Sequence, residues 1–236
     1  MGVAIITGAS RGLGQALARQ LAGDGWSLVI DGRGAGPLER VADELTAATE
    51  VIAVVGDVTD PAHRTELIAA AERLGQLELL VNNAGILGPS PQPPLDRYPL
   101  EAFEDVHRVN VTAPLALTQL ALPALAANQG AVLNVTSDAA VEPYEGWGGY
   151  GSAKAALEHL SAILAAERPD VRVWWVDPGD LRTQMHQEAF PGEDISDRPE
   201  PATVAPALAR LIAARPASGR HRLADWAGRP ESEEVA

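Results

Sequence analysis

The chain contains no cysteine. Disulfides, thiolate metal sites and a cysteine nucleophile are therefore excluded, which agrees with a cytoplasmic protein. No apolar run reaches the roughly 18–20 residues of a membrane span. The N-terminus enters a strand pattern at once (Val3, Ala4, Ile5, Ile6), without a basic segment ahead of an apolar one, so no signal peptide and no membrane partner are expected. Basic side chains are scarce. Against 32 Asp and Glu stand 18 Lys and Arg, for a formal net charge of −14. Such a surface repels a phosphate backbone, and nucleic acid is not an expected partner. The five histidines show no metal-ligand spacing.

What is present is a long, apolar, alternating chain. With 236 residues and 46% apolar content it can bury a full core. Short apolar runs alternate with helical periodicity. Strands are expected at 3–7, 28–31, 51–55, 77–81, 131–135, 171–176 and, weakly, 222–224. Helices are expected at 13–21, 38–48, 61–74, 100–127 (interrupted by Pro114 and Pro123), 153–167 and 203–214. Strict β/α alternation predicts an α/β fold, a parallel sheet with helices on both faces. No repeat or linker divides the chain, so residues 1–227 read as one domain and residues 228–236 as a polar tail. The Pro/Gly/acid-rich segment from Gln184 to Pro201 reads as a loop.

The first strand–helix junction is glycine-rich: Thr7, Gly8, Ala9, Ser10, Arg11, Gly12, Leu13, Gly14. Glycines there let the backbone turn tightly and approach a pyrophosphate at the helix N-terminus. After the second strand come Asp31, Gly32 and Arg33. An acid aimed at the ribose hydroxyls selects NAD, and an arginine accommodates the 2′-phosphate of NADP. Arg11 and Arg33 favour NADP(H) and Asp31 opposes it, so NADP(H) is expected, with NAD(H) as the alternative.

Tyr150 and Lys154 are four residues apart, on one face of a helix. A phenol titrates near pH 10. An ammonium about 4 Å away, at an effective dielectric near 20, offers the roughly 4 kcal/mol needed to bring it about three units down. Tyr150 could then trade a proton with a substrate oxygen, and Ser137, at a strand end, could hold that oxygen. Pro114 cannot donate to the carbonyl of Asn110 four residues earlier, which leaves that carbonyl free for a water and a proton relay to Lys154.

Taken together these motifs resemble the short-chain dehydrogenase/reductase family, from Thr7 to about Thr183. Asn82-Asn83-Ala84-Gly85 looks like its N-N-A-G, Asp57-Val58 its adenine contact, and Tyr150-Gly151-Ser152-Ala153-Lys154 its Y-x-x-x-K. Asn110 and Ser137 match its active-site asparagine and serine, and Pro178-Gly179 with Thr183 its P-G-x-x-x-T at the nicotinamide. The resemblance implies a Rossmann-like doubly wound sheet of seven strands in order 3-2-1-4-5-6-7. It also implies Lys154 on the ribose hydroxyls, a small carbonyl or secondary-alcohol substrate, and a homodimer or homotetramer pairing helices at 115–127 and 153–166. A dinucleotide-binding regulator without turnover is the competing reading. Three departures stand out. Gly148, Gly149 and Gly151 predict a loose start to the Tyr150 helix, Asp180 places a carboxylate near the nicotinamide, and the C-terminus lacks a V-D-G-G ending.

Overall fold

The computed structural model describes residues 2–228, so the expected tail lies outside them except for Gly228. The strands are β1 (Val3–Ile6), β2 (Ser27–Gly32), β3 (Val51–Val55), β4 (Leu77–Asn82), β5 (Ala131–Val135), β6 (Arg172–Asp177) and β7 (Gly219–Arg222). They form one parallel sheet in the order β3-β2-β1-β4-β5-β6-β7. Its inner strands are short apolar runs because helices cover both faces. The helices are α1 (Gly12–Gly23), α2 (Ala35–Leu45), α3 (Pro61–Leu74), α4 (Leu100–His107), α5 (Ala113–Ala127), α6 (Gly148–Glu167), α7 (Gln184–Ala189) and α8 (Pro201–Ala214).

Strand periodicity sends alternate residues into two cores. Ala4, Ile6, Leu28 and Ile30 pack with α1, α2 and α8 on one face. Val3, Ile5, Val29 and Leu80 pack with α3 and α5 on the other. Trp174 is fully buried, as its place in a central strand predicts, and its indole donates to the Pro216 carbonyl at 3.0 Å. A polar spine ties the sheet to α6. Asn82 donates to Asn134 at 2.8 Å, and Asn134 to Ser161 at 2.8 Å.

The strand order reverses between β1 and β4, which opens a crevice at the carboxyl ends of the strands. Several boundaries differ from expectation. The last strand lies at 219–222 rather than 222–224, because pairing with β6 and not apolar content defines it. Residues 223–226 instead turn as a 3-10 helix that buries Leu223 and Trp226. The second helix starts at Ala35 and ends at Leu45, and the segment after Thr183 contains α7. From Leu100 to Ala127 the helical stretch is unbroken and of membrane-spanning length and hydropathy, but it packs Leu117, Ala121 and Leu125 against the sheet.

Candidate active site

The glycine-rich loop takes its shape from backbone only glycine adopts easily. Gly8 and Gly12 have φ of 67° and 59°. A Cβ at Gly14 would stand 2.5 Å from the Gly8 carbonyl, so α1 can meet the loop only without a side chain there. No side chain caps the N-terminus of α1, which leaves its first N–H groups directed at the crevice. Thr7 fixes the loop to the end of β4, since its hydroxyl accepts from the N–H groups of Asn83 and Ala84, each at 3.0 Å. Asn83 returns its amide to the Thr7 carbonyl at 2.8 Å.

Asp31 borders the cleft, but its carboxylate is already engaged by the protein. It is buried beneath the loop, where Oδ1 accepts from the Gly8 N–H and Oδ2 lies 3.0 Å from Nε2 of the buried His63 on α3. Both oxygens are committed to structure. Arg33, by contrast, is exposed at the crevice rim beside Ser10, Asp57 and Val58. Asp57 accepts the Thr59 N–H at 2.8 Å and so closes its own turn.

Asn110 sits in a π-helical turn, residues 108–112, between α4 and α5. The cause is Pro114, which has no N–H for the Asn110 carbonyl, and the ladder widens so that Ala113 N bonds Arg108 O. The Asn110 side chain is wholly buried. It accepts from Ile86 N at 2.9 Å and donates to Ile86 O at 2.8 Å, which clamps the segment after β4. A Cβ at Gly85 would lie 3.2 Å from Asn110 Oδ1 and 3.9 Å from Lys154 Nζ, so this glycine lets asparagine and lysine share one space.

Tyr150 lies in the first turn of α6 and Lys154 one turn on, both buried. The helix begins five residues earlier than its apolar periodicity predicts, at Gly148. The glycines expected to loosen it have another use. A Cβ at Gly151 would stand 2.7 Å from the Ala139 carbonyl, and one at Gly148 or Gly149 would collide with Leu95 or Tyr98. They bring the helix start close to the turn that carries Ser137.

The expected lowering of the phenol by the ammonium is not found. Burial, reinforced by Asp138 and Asp177, pushes Tyr150 above its ordinary value, and a hydrogen bond with Ser137 only partly opposes this. Lys154 Nζ stands 5.5 Å from the phenol ring centroid and donates to the Val135 carbonyl at 2.7 Å. Burial brings its own pKa down to about 8. Desolvation outweighs a Coulomb attraction across that separation.

Ser137 donates to Asp138 Oδ1 at 2.9 Å, and Tyr144 donates to Asp138 Oδ2 at 2.9 Å. Sequence reasoning missed Asp138, although it adjoins Ser137. Ser137, Asp138, Tyr150 and Lys154, with Gly8 and Ser10 to Leu13 of the glycine loop, Arg33, Asn83, Ala84, Gly85, Pro178, Gly179 and Thr183, line one cleft of about 610 Å³; Asn110 lies buried beside it.

Comparison with known proteins identifies the family. The family described as short chain dehydrogenase matches residues 2–194. The chain belongs to the short-chain dehydrogenase/reductase family. It is a dehydrogenase/reductase of the class acting on CH–OH/C=O groups. Among its relatives, the sepiapterin reductase of Rattus norvegicus is 36% identical over 201 residues, 79% of this chain and 77% of that protein. The serine 3-dehydrogenase of Agrobacterium fabrum is 37% identical over 188 residues, 78% of this chain and 74% of that protein. An alcohol dehydrogenase from Thermococcus sibiricus, solved with 5-hydroxy-NADP, superposes with a TM-score of 0.85 at 31% identity, over 94% of this chain and 95% of that one.

In this short-chain dehydrogenase/reductase Arg11, Pro178, Gly179 and Thr183 also line the cleft. Gly179 has φ 73°, and its N–H donates to Asp177 Oδ1 at 3.0 Å, which fixes the Pro178-Gly179 turn. Thr183 caps α7 by accepting the His186 N–H at 3.2 Å. Arg11 reaches across to Gln184 and links the glycine loop to α7. Asp180 is exposed at the mouth, with Arg198 at 3.6 Å and His186 at 3.8 Å, so its charge is partly balanced. Trp147 walls the pocket edge-on to Tyr150, with centroids 5.7 Å apart.

Proposed function

We propose that this enzyme transfers hydride between NADP(H) and a small carbonyl or secondary alcohol, with Tyr150 as the proton donor and acceptor. The carrying observation is that Ser137, Tyr150 and Lys154 line the same cleft as the glycine loop and Arg33, with Asn110 buried behind them, where its Oδ1 and Lys154 Nζ both adjoin Gly85. The residues present fit a dinucleotide. Uncapped N–H groups at α1 suit a pyrophosphate. Arg33 and Ser10 suit a 2′-phosphate, and Asp57 with Val58 an adenine face. Asn83, Ala84, Gly85, Pro178, Gly179 and Thr183 flank the nicotinamide end, and Lys154 holds the ribose hydroxyls. With Asp31 locked to Gly8 and His63, no carboxylate of β2 is left to select NAD(H).

When bound, the nicotinamide supplies or accepts the hydride. The protein moves the proton. Ser137 orients the substrate oxygen against the Tyr150 phenol, which is protonated across the neutral range and so acts as the acid in reduction. Lys154, charged below about pH 8, stabilises the phenolate that remains. The Asn110 carbonyl, deprived of a donor by Pro114, would hold a water through which the proton returns to Lys154. Exposed Leu115 and Leu120 on α5 and Ile163 on α6 support pairing of these helices in a homodimer or homotetramer, and we take the protein to be cytoplasmic. One continuous sheet from Val3 to Arg222 supports a single cofactor-binding domain.

The reading is tested by NADPH oxidation against a panel of aldehydes and ketones, neutral and amine-bearing, with NADPH binding measured in parallel. Turnover with at least one supports it; tight binding with silence across the panel makes the chain a dinucleotide-binding regulator. Cofactor choice has its own test. Arg33→Ala should weaken NADPH roughly tenfold or more by loss of a charge-assisted phosphate contact, and NADH far less. Equal losses for the two cofactors would remove Arg33 from the 2′-phosphate.

A further inference from the structure

Behind the catalytic side chains lies a set of partly buried charges that the reaction itself does not consume. Arg220 enters from β7, far along the chain from the other site residues, with its side chain only 25% exposed. Its Nε donates to Glu158 Oε1 at 3.0 Å, and its Nη2 to the Ser137 carbonyl and to Asp177 Oδ2, each at 3.3 Å. Each partner belongs to a different wall of the active site. Glu158 is on α6 one turn beyond Lys154, and its Oε1 also accepts the Thr136 hydroxyl at 2.8 Å. Asp177 holds the Gly179 N–H of the Pro178-Gly179 turn. Ser137 carries the hydroxyl that faces the substrate oxygen.

We propose that Arg220 is a positioning residue for this reaction. One guanidinium brackets the ends of β5 and β6 and the Lys154 face of α6, fixing the Ser137 hydroxyl relative to the nicotinamide turn and balancing the carboxylates around the catalytic pair. A guanidinium suits this task because its planar fork serves several acceptors at once, whereas an ammonium would serve them as a point charge. The inference rests on the proposed reduction for its catalytic meaning. Its electrostatic content is independent of turnover.

The charged and titratable groups at the bracket are Tyr150, Lys154 and Glu158 on α6, Asp138 after β5, Asp177 on β6 and Arg220 on β7. His221, the next residue of β7, meets Trp226 edge-to-face, with ring centroids 5.8 Å apart. Glu158 favours the charged form of Lys154, and Asp177 and Asp138 favour the protonated form of Tyr150. Removing Arg220 leaves Glu158 and Asp177 without their shared cation, so both Lys154 and Tyr150 should hold their protons to higher pH. Neutralising Glu158 should do the reverse for Lys154. A purely architectural role predicts no such opposition of sign.

Lys154 is the only lysine in the chain, so lysine labelled at Cε gives a single NMR signal whose titration reads this site alone. The unsubstituted protein should titrate near pH 8. In Arg220→Met the midpoint should rise by about one pH unit, and in Glu158→Gln, which can still accept from Arg220 and Thr136, it should fall by a similar amount. The kcat of Arg220→Met should drop roughly ten- to a hundredfold through misplacement of the hydroxyl, with NADPH affinity within about threefold because the phosphate contacts are untouched. Arg220→Lys should restore the titration midpoint more fully than kcat. Unmoved midpoints, shifts of the same sign in Arg220→Met and Glu158→Gln, or an unchanged kcat in Arg220→Met would overturn the proposal. If Arg220→Met does not fold, the downward shift in Glu158→Gln carries the test, and its absence refutes the bracket. Failure of the unsubstituted protein to turn over any carbonyl would defeat the functional reading while leaving the titrations readable.

Discussion

Replacing Tyr150 by Phe should lower kcat about a thousandfold, within the range that a positioned general acid supplies, while NADPH still binds with near-native affinity. The phenol ring is buried against Trp147 and beside Leu87 and Ala139, and phenylalanine keeps that packing. Only the hydroxyl leaves, and with it the proton for the substrate oxygen. Because burial and neighbouring carboxylates hold the phenol protonated, no compensating base is expected in the reducing direction. Residual turnover near the native rate would show that another group delivers the proton. Loss of NADPH binding together with turnover would show that the substitution had disturbed the cleft itself.

Lys154→Met should cost about a hundredfold or more in kcat and should also raise the Kd for NADPH, because in the proposed reaction the amine serves both the phenolate and the ribose. The buried stem is replaced by one of similar shape, so the fold should persist. The lost charge can no longer offset the phenolate formed on proton transfer. In the unsubstituted enzyme the same charge sets a pH limit. Burial lowers the folded-state pKa of Lys154 to about 8, so the ammonium is present below that pH and lost above it. The rate of carbonyl reduction should therefore hold through neutrality and decline as pH rises past about 8, and Lys154→Met should lack that limb. A reduction rate flat from pH 7 to 10 in the unsubstituted enzyme would contradict this assignment.

Much of the architecture was legible because it is written in local pattern. Apolar runs of strand length alternating with helical periodicity predict a parallel sheet, and the glycine loop, N-N-A-G and Y-x-x-x-K point to the crevice. Asn110 could be read through Pro114, whose missing N–H reappears as the π-helical turn at 108–112. What escaped depends on residues distant in sequence. The role of Asp31 is decided by His63, which arrives on α3 and engages one of its carboxylate oxygens. Glycines around Tyr150 weaken an isolated helix, but against Leu95, Tyr98 and Ala139 they permit a close approach that any side chain would block. β7 reads Gly-Arg-His-Arg, with no apolar signature, and only pairing to β6 makes it a strand. Glu158 could have been suspected from its position four residues after Lys154. Arg220 could not, since it lies 62 residues from Glu158.

The expected tuning of the phenol shows a more general limit. Coulomb attraction between a tyrosine and a lysine one turn apart is easily estimated from spacing, but the desolvation that opposes it depends on burial, which spacing does not give. Here burial acts on both partners and moves each toward its neutral form. The phenol thereby rests in its protonated form, although a raised pKa makes it a weaker acid than a free tyrosine.

The most direct measurement of the central claim is isotope transfer. NADPH carrying deuterium at C4 of the nicotinamide, prepared separately in its two stereochemical forms, is incubated with the enzyme and a carbonyl that supports turnover, and the alcohol is analysed by mass spectrometry. The account predicts that one form passes its deuterium to the carbinol carbon, with one label per NADPH consumed, and that the other form yields unlabelled alcohol. NADPH consumed without label appearing in the alcohol from either form would contradict hydride transfer at this site.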